Sequence, residues 1–391
     1  MKDKIFNFMK IVLKLKGVFI FIFFIFIIPI TCSFILGNEM HEGEIKNIPT
    51  IIVDHDNSSY SQMLIKEIKY NEIFNVNNYG ENDYDVKTSI EKGKASVGVI
   101  IPQSFSKDLT EGNAPKVLVF YDGSQMSITS AAKSRMNEIL LSIKTAYIQE
   151  TMQGKLGIMP EVSRNYMLPM YFNYRILNNP ARNYSNFLNI GMLISITQVC
   201  IVMLGAVIPK KEKYYLSIWI KSILAGLAGT ASTLLTLWIQ VKYFGVPFRG
   251  TPKEVIILTT LFSIAIASYG VLVRLIITQE LFSIQVSAVT VLPTSVLGGY
   301  TFPLLAMPKF FQDLSAILPF VHYADPMRRL FLVGIEMKYI VPEIIWFVKF
   351  TLSMWLFSLA IFYMKKRIKK VITNTKDNKN KSPNTGEVVK A

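Results

Sequence analysis

The chain has 391 residues, 51% of them hydrophobic and 26 of them Phe, with a formal charge of +15. Its apolar residues are gathered into long blocks instead of recurring at the spacing of a soluble core, which excludes an ordinary globular enzyme and marks a membrane protein. Two cysteines, Cys32 and Cys200, and the scattered His41, His55 and His322 exclude a disulfide framework and disfavour a zinc or histidine-based catalytic centre.

Residues 2–16, "KDKIFNFMKIVLKLK", place Ile5, Phe6, Met9, Val12 and Leu13 on one helical face with lysines on the others, which suits a helix lying in the membrane interface. The next block, "GVFIFIFFIFIIPITCSFIL" (17–36), carries no charge. A helix rises about 1.5 Å per residue, so roughly 20 apolar residues cross about 30 Å of hydrocarbon. A signal peptide is the competing reading. The run exceeds the usual signal core of about 7–15 residues and no small-residue cleavage site follows, so an uncleaved span is expected.

Residues 37–186 hold 15 basic and 17 acidic residues and are punctuated like a small α/β domain. "IPTIIVDHD" (48–56), "ASVGVIIP" (95–102) and "KVLVFYDGS" (116–124) read as strands, with a fourth at Phe74 to Val76. Between them a helix is expected after Ser59 and Gln62, which stand in capping-box spacing, and a weaker one near 84–92. A long helix over 127–152 turns Met136, Ile139, Leu140, Ile143 and Tyr147 to one side. Strands alternating with helices imply a partly parallel sheet. Asp54, Asp56 and Asp122 stand at strand ends, where carboxylates ordinarily form turns by bonding their own backbone; a metal or phosphate-transfer role is the weaker reading.

Five further blocks predict spans at 187–208, 218–240, 255–277, 283–305 and 341–363. The fold class is therefore a six-helix polytopic membrane protein with an inserted α/β domain. Residues 1–16 carry five Lys against one Asp, 209–217 three Lys against one Glu, and 365–391 nine basic against two acidic residues. By the positive-inside rule both termini and the 209–217 loop are cytoplasmic and the insert is outside. The tail, "KKRIKKVITNTKDNKNKSPNTGEVVKA", reads as disordered. It lacks interleaved aromatics and directly follows a span, which favours an anchor on anionic lipid over nucleic acid. Lys221 and Arg274 fall near span ends, where long cationic side chains reach the interface. Gln198, Gln240, Gln285, Gly226 and Gly229 are expected to serve interhelical packing. Pro180 biases Asn179 away from helix, so Asn179, Pro180 and Asn186 form a predicted hinge between insert and membrane.

"GGYTFPLLAMPKFFQDLSAILP" (298–319) is apolar yet broken. Gly298, Gly299 and Pro303 are placed in the outer part of the fifth span, with Pro308 past its end. Phe310, Phe311, Leu314, Ile317 and Leu318 make one apolar face too short to cross, so a re-entrant or interfacial helix is expected, followed by a second near Ala324 to Val333. Irregular backbone at that depth needs cover from protein or a wet cavity, which predicts a re-entrant segment over 306–335 and an extracytoplasmic gate formed by Gly298, Gly299, Pro303, Pro308, Phe310, Phe311 and Leu314.

The segments "IPTIIVDHDNSSYSQMLIKEI", "GKASVGVIIPQSFSKDL", "KVLVFYDGSQMSITSA", "ILNNPARNYSNFLNIGMLISI" and "LPTSVLGGYTFPLLAMPKFFQDLSAILPFVHYADPMRRLFLVG" together resemble type-2 ABC transporter permeases with a large extracytoplasmic insert after the first span. The resemblance implies a subunit of a bacterial cytoplasmic-membrane exporter that works in pairs, as a homodimer or with a similar permease. It also implies a separate ATPase holding ATP and Mg. The chain lacks a GxxxxGK[ST] loop of its own. By the same resemblance Ile5, Phe6 and Met9 belong to an elbow helix and Lys210, Lys211, Glu212 and Lys213 to a coupling loop, although "PKKEKYY" departs from the family's longer Glu-Arg-Glu-x-Gly-Thr-like stretch. The expected cargo is amphiphilic or lipid-like. The alternative is a non-transporting envelope receptor or scaffold that presents the α/β domain.

Overall fold

The computed structural model describes residues 23–111, 113, 115–157, 177–180, 183–211 and 214–381. Ile5, Phe6, Met9, Glu212, Lys213, the start of the first span and residues 382–391 lie outside that set. The chain divides into two compact units, Glu44–Arg175 and the remainder.

In the larger unit, α1 (Phe23–Glu39) is the described part of the first apolar block. The smaller unit follows. Its strands β1 (Ile48–Asp54), β2 (Phe74–Tyr79), β3 (Val97–Ile101) and β4 (Leu118–Tyr121) form a sheet of order β2-β1-β3-β4. β1 runs parallel to β2 and β3, while β4 closes the edge antiparallel to β3. The connections are α2 (Ser59–Tyr70), α3 (Asp83–Glu91) and α4 (Phe105–Glu111), and the long α5 (Met126–Leu156) follows the sheet. One sheet face packs Ile52, Val97, Val99 and Ile101 against Leu64 and Ile68 of α2 and Met136 and Ile139 of α5. On the other face Ile51, Val53 and Ile100 meet Val86 of α3. The cap of α2 lies one residue earlier than the sequence predicts: Ser58 and Ser61 form the reciprocal pair, because Gln62 is drawn to the Asp54 carboxylate, 3.2 Å away.

The larger unit continues with α6 (Tyr184–Val207), α7 (Tyr215–Phe244), α8 (Pro252–Ile276), α9 (Glu280–Val291) and the single turn α10 (Thr294–Leu297), then α11 (Lys309–Ser315), α12 (Pro319–Leu332) and α13 (Val341–Lys381). Among the described residues five helices are long and apolar enough to cross a membrane: α6, α7, α8, α9 with α10, and α13 as far as Lys369. This is a helical, polytopic membrane protein.

Small residues bring α6 and α8 into backbone contact: a methyl added at Gly205 would overlap the Ala267 carbonyl, and one at Gly270 the Val202 carbonyl. Gly226 likewise lies against the backbone of Ile264. Polar side chains join helices where apolar packing alone has no directional preference. Gln240 donates to Ser33 O at 2.7 Å and accepts from Asn189 Nδ2 at 3.2 Å, and Gln198 donates to Thr294 Oγ1 at 2.9 Å. Gln198 and Gln240 thus serve packing, whereas Gln285 is exposed. Arg274 turns back onto its own helix end, donating to the carbonyls of Ile277 (2.8 Å) and Thr278.

The expectation of a disordered tail is overturned for its described part, since α13 runs unbroken for 41 residues to Lys381. Among its residues after 364 there is neither Pro nor Gly before Lys381, so nothing in the backbone chemistry stops the helix.

Candidate functional site

Four connections share one end of the bundle: the entry and exit of the insert, the 245–251 loop, and the irregular segment 298–340. Helices α6 and α7 meet at the opposite end, through a 3-10 turn, Ile208–Lys211, that contains Lys210 and Lys211.

At the insert's attachment, Tyr184 N donates to Gly43 O at 2.7 Å. Asn183 caps α6, accepting from Asn186 N at 3.2 Å. Asn179 grips Asn183 twice, receiving its N–H at 3.1 Å and donating to its carbonyl at 2.9 Å. Asn179, Pro180 and Asn186 therefore come together around Asn183, which the sequence reading passed over.

The fifth apolar helix ends at Leu297, not at 305. Pro293 cannot donate inside the helix, and Gly299 takes φ +75°, a left-handed conformation that favours glycine. Gly298, Gly299 and Pro303 consequently lie beyond the helix. Pro303 and Pro308 bracket a 3-10 turn, Leu304–Ala306. The two rings of the short helix α11 point out of the chain, with Phe310 70% and Phe311 39% exposed; Leu314 is half-buried.

The second short helix, α12, starts at Pro319, five residues before the predicted start, because proline's fixed φ suits the first helical turn. It seats Phe320, Tyr323, Ala324, Met327, Leu330 and Phe331 on the bundle. Tyr323 stacks on Phe262 of α8 at 4.1 Å and its hydroxyl meets Thr259 at 2.8 Å. Arg249 holds the helix's far end, donating from N to Phe331 O and from Nη1 to Leu332 O, both at 3.0 Å.

Tyr300 ties this segment to α6. It is 3% exposed, its hydroxyl accepts from Gly191 N at 2.9 Å, and its ring stacks on Phe187. The Arg328 guanidinium lies 3.6 Å from the Tyr300 ring centre and 4.4 Å from that of Phe187, and donates to Tyr300 O at 3.0 Å.

Beside this cluster is a cavity of about 320 Å³ lined by Gly298, Gly299, Leu304 and by charged side chains: Asp325, Arg328, Arg329, Glu343 and His322. Asp325 and Arg329 are 4.0 Å apart. His322 Nδ1 meets Glu343 Oε2 at 2.6 Å and His322 Nε2 meets Ala316 O at 2.8 Å. The imidazole also stacks on Trp346 at 3.9 Å. The predicted gate glycines thus line a charged chamber that sequence reasoning did not foresee. The available signal was Glu343, a carboxylate in the first turn of an apolar helix, where ionisable groups are functional by default.

Asp54 and Asp122 act within their own turns, whereas Asp56 reaches across to the first turn of α4. Asp54 accepts from Asp56 N, Asn57 N, Ser61 Oγ and Gln62 Nε2, and Asp56 accepts from Ser106. Hydrogen bonds from Ser124 hold the Asp122 carboxyl below its ordinary range. Among the described residues no three His, Cys, Asp or Glu side chains gather as a metal site.

The family model for ABC-2 family transporter proteins matches residues 18–363. The chain belongs to that family. Among its ABC-2 relatives, it is 22% identical over 323 residues to a probable multidrug ABC transporter permease, YbhR, of Escherichia coli, covering 79% of this chain and 84% of that one. It is 22% identical over 328 residues to the linearmycin resistance permease protein LnrN of Bacillus subtilis, covering 75% and 82%. No solved structure matches it.

Proposed function

We propose that the chain is the membrane-spanning subunit of an ATP-driven exporter, with six spans, cytoplasmic termini and the α/β insert outside the cytoplasmic membrane. It pairs with a second permease, a further copy or a similar chain, and with a separate ATPase that holds ATP and Mg. The carrying observation is the uneven burial of the apolar helices. In α6, α7 and α8, 56–61% of each apolar window is buried, against 22% in α9 with α10 and 17% in α13. The two poorly covered helices supply faces for lipid and a second permease, and flank the segment read here as the outer gate. Leu281, Phe282, Val289, Leu292 and Val296 on the first of them are all more than half exposed, a surface suited to amphiphilic cargo. The names of the relatives, multidrug and linearmycin resistance, support the same class of substrate.

In this reading closure of the ATPases pulls on residues 2–16 and the 208–214 connection, and the 298–340 segment opens at the other end. Reconstitution with a candidate ATPase tests it: cargo-stimulated ATP turnover and accumulation of a fluorescent amphiphile in inverted vesicles are expected. Absence of any associating ATPase, with no stimulated turnover, refutes it and favours a receptor or scaffold, a reading supported by the short coupling turn.

A further inference from the structure

His322 stands between two hydrogen-bond acceptors. Its Nε2 lies 2.8 Å from the Ala316 carbonyl, which can only accept, and its Nδ1 lies 2.6 Å from Glu343 Oε2. A neutral imidazole carries one N–H and an ionised carboxylate none, so a neutral His322 beside an ionised Glu343 leaves one contact without a hydrogen. Both contacts close only when the pair holds one more proton. That proton sits either on Nδ1, giving imidazolium and carboxylate, or on Glu343, giving neutral imidazole and carboxylic acid. Trp346, stacked 3.9 Å from the ring, fixes the plane of the imidazole.

We infer that His322 and Glu343 form a shared-proton site that latches the end of α11 and the start of α12 to the start of the last apolar helix. The proton bridges three elements: Ala316 closes α11, His322 belongs to α12 and Glu343 to α13. When the proton leaves, the single remaining N–H serves one acceptor and releases the other. The latch is therefore closed at low pH and opens as pH rises through the value at which the pair gives up its proton.

The charged groups around the pair do not supply a substitute. Asp325, Arg328 and Arg329 from α12, with Tyr339 preceding α13, line the same cavity, and Arg328 is held on Tyr300. On α11, Lys309 and Asp313 pair with each other at 2.9 Å; before α13, Lys338 and Glu336 do so at 2.8 Å. The proton site rests on hydrogen bonding alone, while its role as a latch rests on the reading of 298–340 as the outer gate.

Two measurements separate the claims. Nitrogen-15 spectra of the full chain in nanodiscs, with infrared bands of Glu343, should show loss of one proton from the pair as pH is raised. An ionised Glu343 beside a ring nitrogen without a proton at every pH overturns the site. The latch is read from maleimide labelling of Ser315→Cys, a residue 2% exposed, in a chain whose Cys32 and Cys200 are replaced by serine. Its rate is divided by that of the exposed Asp313→Cys to remove the thiol's own pH dependence. The ratio should rise severalfold across the pH interval in which the spectra show the pair losing its proton. Glu343→Gln, which can donate to or accept from Nδ1, should hold the ratio low at all pH. His322→Phe, which offers neither acceptor a hydrogen, should hold it high. A flat ratio in the unsubstituted latch, with the proton titration present, overturns the latch; the outer-gate reading fails separately, if the Ser315→Cys rate does not change when ATP turnover is driven by the partner ATPase.

Discussion

Gly191→Ala tests the tie between the irregular segment 298–340 and α6. An alanine methyl at this position would overlap the Tyr300 ring, so either the ring or the helix must move. Partial accommodation of an extra methyl in a packed site costs about 1–3 kcal/mol. If the ring leaves, the chain loses the 2.9 Å hydrogen bond from Gly191 N and the Arg328 contact at 3.6 Å. Those contribute about 0.5–1.5 and 0.5–2 kcal/mol, together about 1–3.5 kcal/mol, so the two routes give losses of similar size. The assay is equilibrium unfolding in mixed micelles, with Tyr300→Ala as the second arm of a double-mutant cycle. Tyr300→Ala alone should cost about 3–5 kcal/mol, and adding Gly191→Ala to it should cost about 0.5 kcal/mol or less because the space is then empty. Equal penalties for Gly191→Ala in both backgrounds would show that Tyr300 is not seated there and sink the argument.

Other outcomes follow from the same geometry. Gly270→Ala should destabilise the bundle by about 1–3 kcal/mol in the same assay, because the methyl meets a carbonyl of α6 and not a flexible side-chain tip. The cycle Asn189→Leu with Gln240→Leu should give a coupling of about 0.6 kcal/mol, the scale of interhelical hydrogen bonds in bilayers. Ser58→Ala should lower the thermal midpoint of the insert through loss of an N-cap contributing about 1 kcal/mol. Asp54→Asn and Asp56→Asn should leave transport unchanged, and loss of transport in a folded variant would return catalysis to consideration.

The strands of the insert and three of its helices were legible, the strands because each is a short apolar run closed by a turn former, and Asp54 and Asp122 behave as such; α4 (Phe105–Glu111) was not, being too short to show a period. Their order in the sheet was not, since nothing local states that β1 lies between β2 and β3. The apolar helices were legible by length, but the end of the fifth was misread. Pro293 lies inside an otherwise apolar run, and hydropathy registers it far less than the backbone does. The break in the apolar run was recognisable from Gly298, Gly299, Pro303 and Pro308, whereas the contacts of this segment depend on residues far apart in sequence. Tyr300 meets Gly191 across 109 positions, and His322 reaches Glu343 around a turn at Gly334. Such pairs leave no periodic trace.

The hydrogen bond from Tyr184 to Gly43 makes the two points where the bundle gives up and recovers the chain immediate neighbours. To the helices, everything between them is therefore a single long loop, and closure entropy rises only slowly with loop length. Length and sequence there can diverge at little cost in closure entropy, so selection on what the α/β unit meets can proceed separately from selection on the bundle. An exchange of inserts between related permeases, joined at Gly43 and Asn183, is the construction this geometry permits.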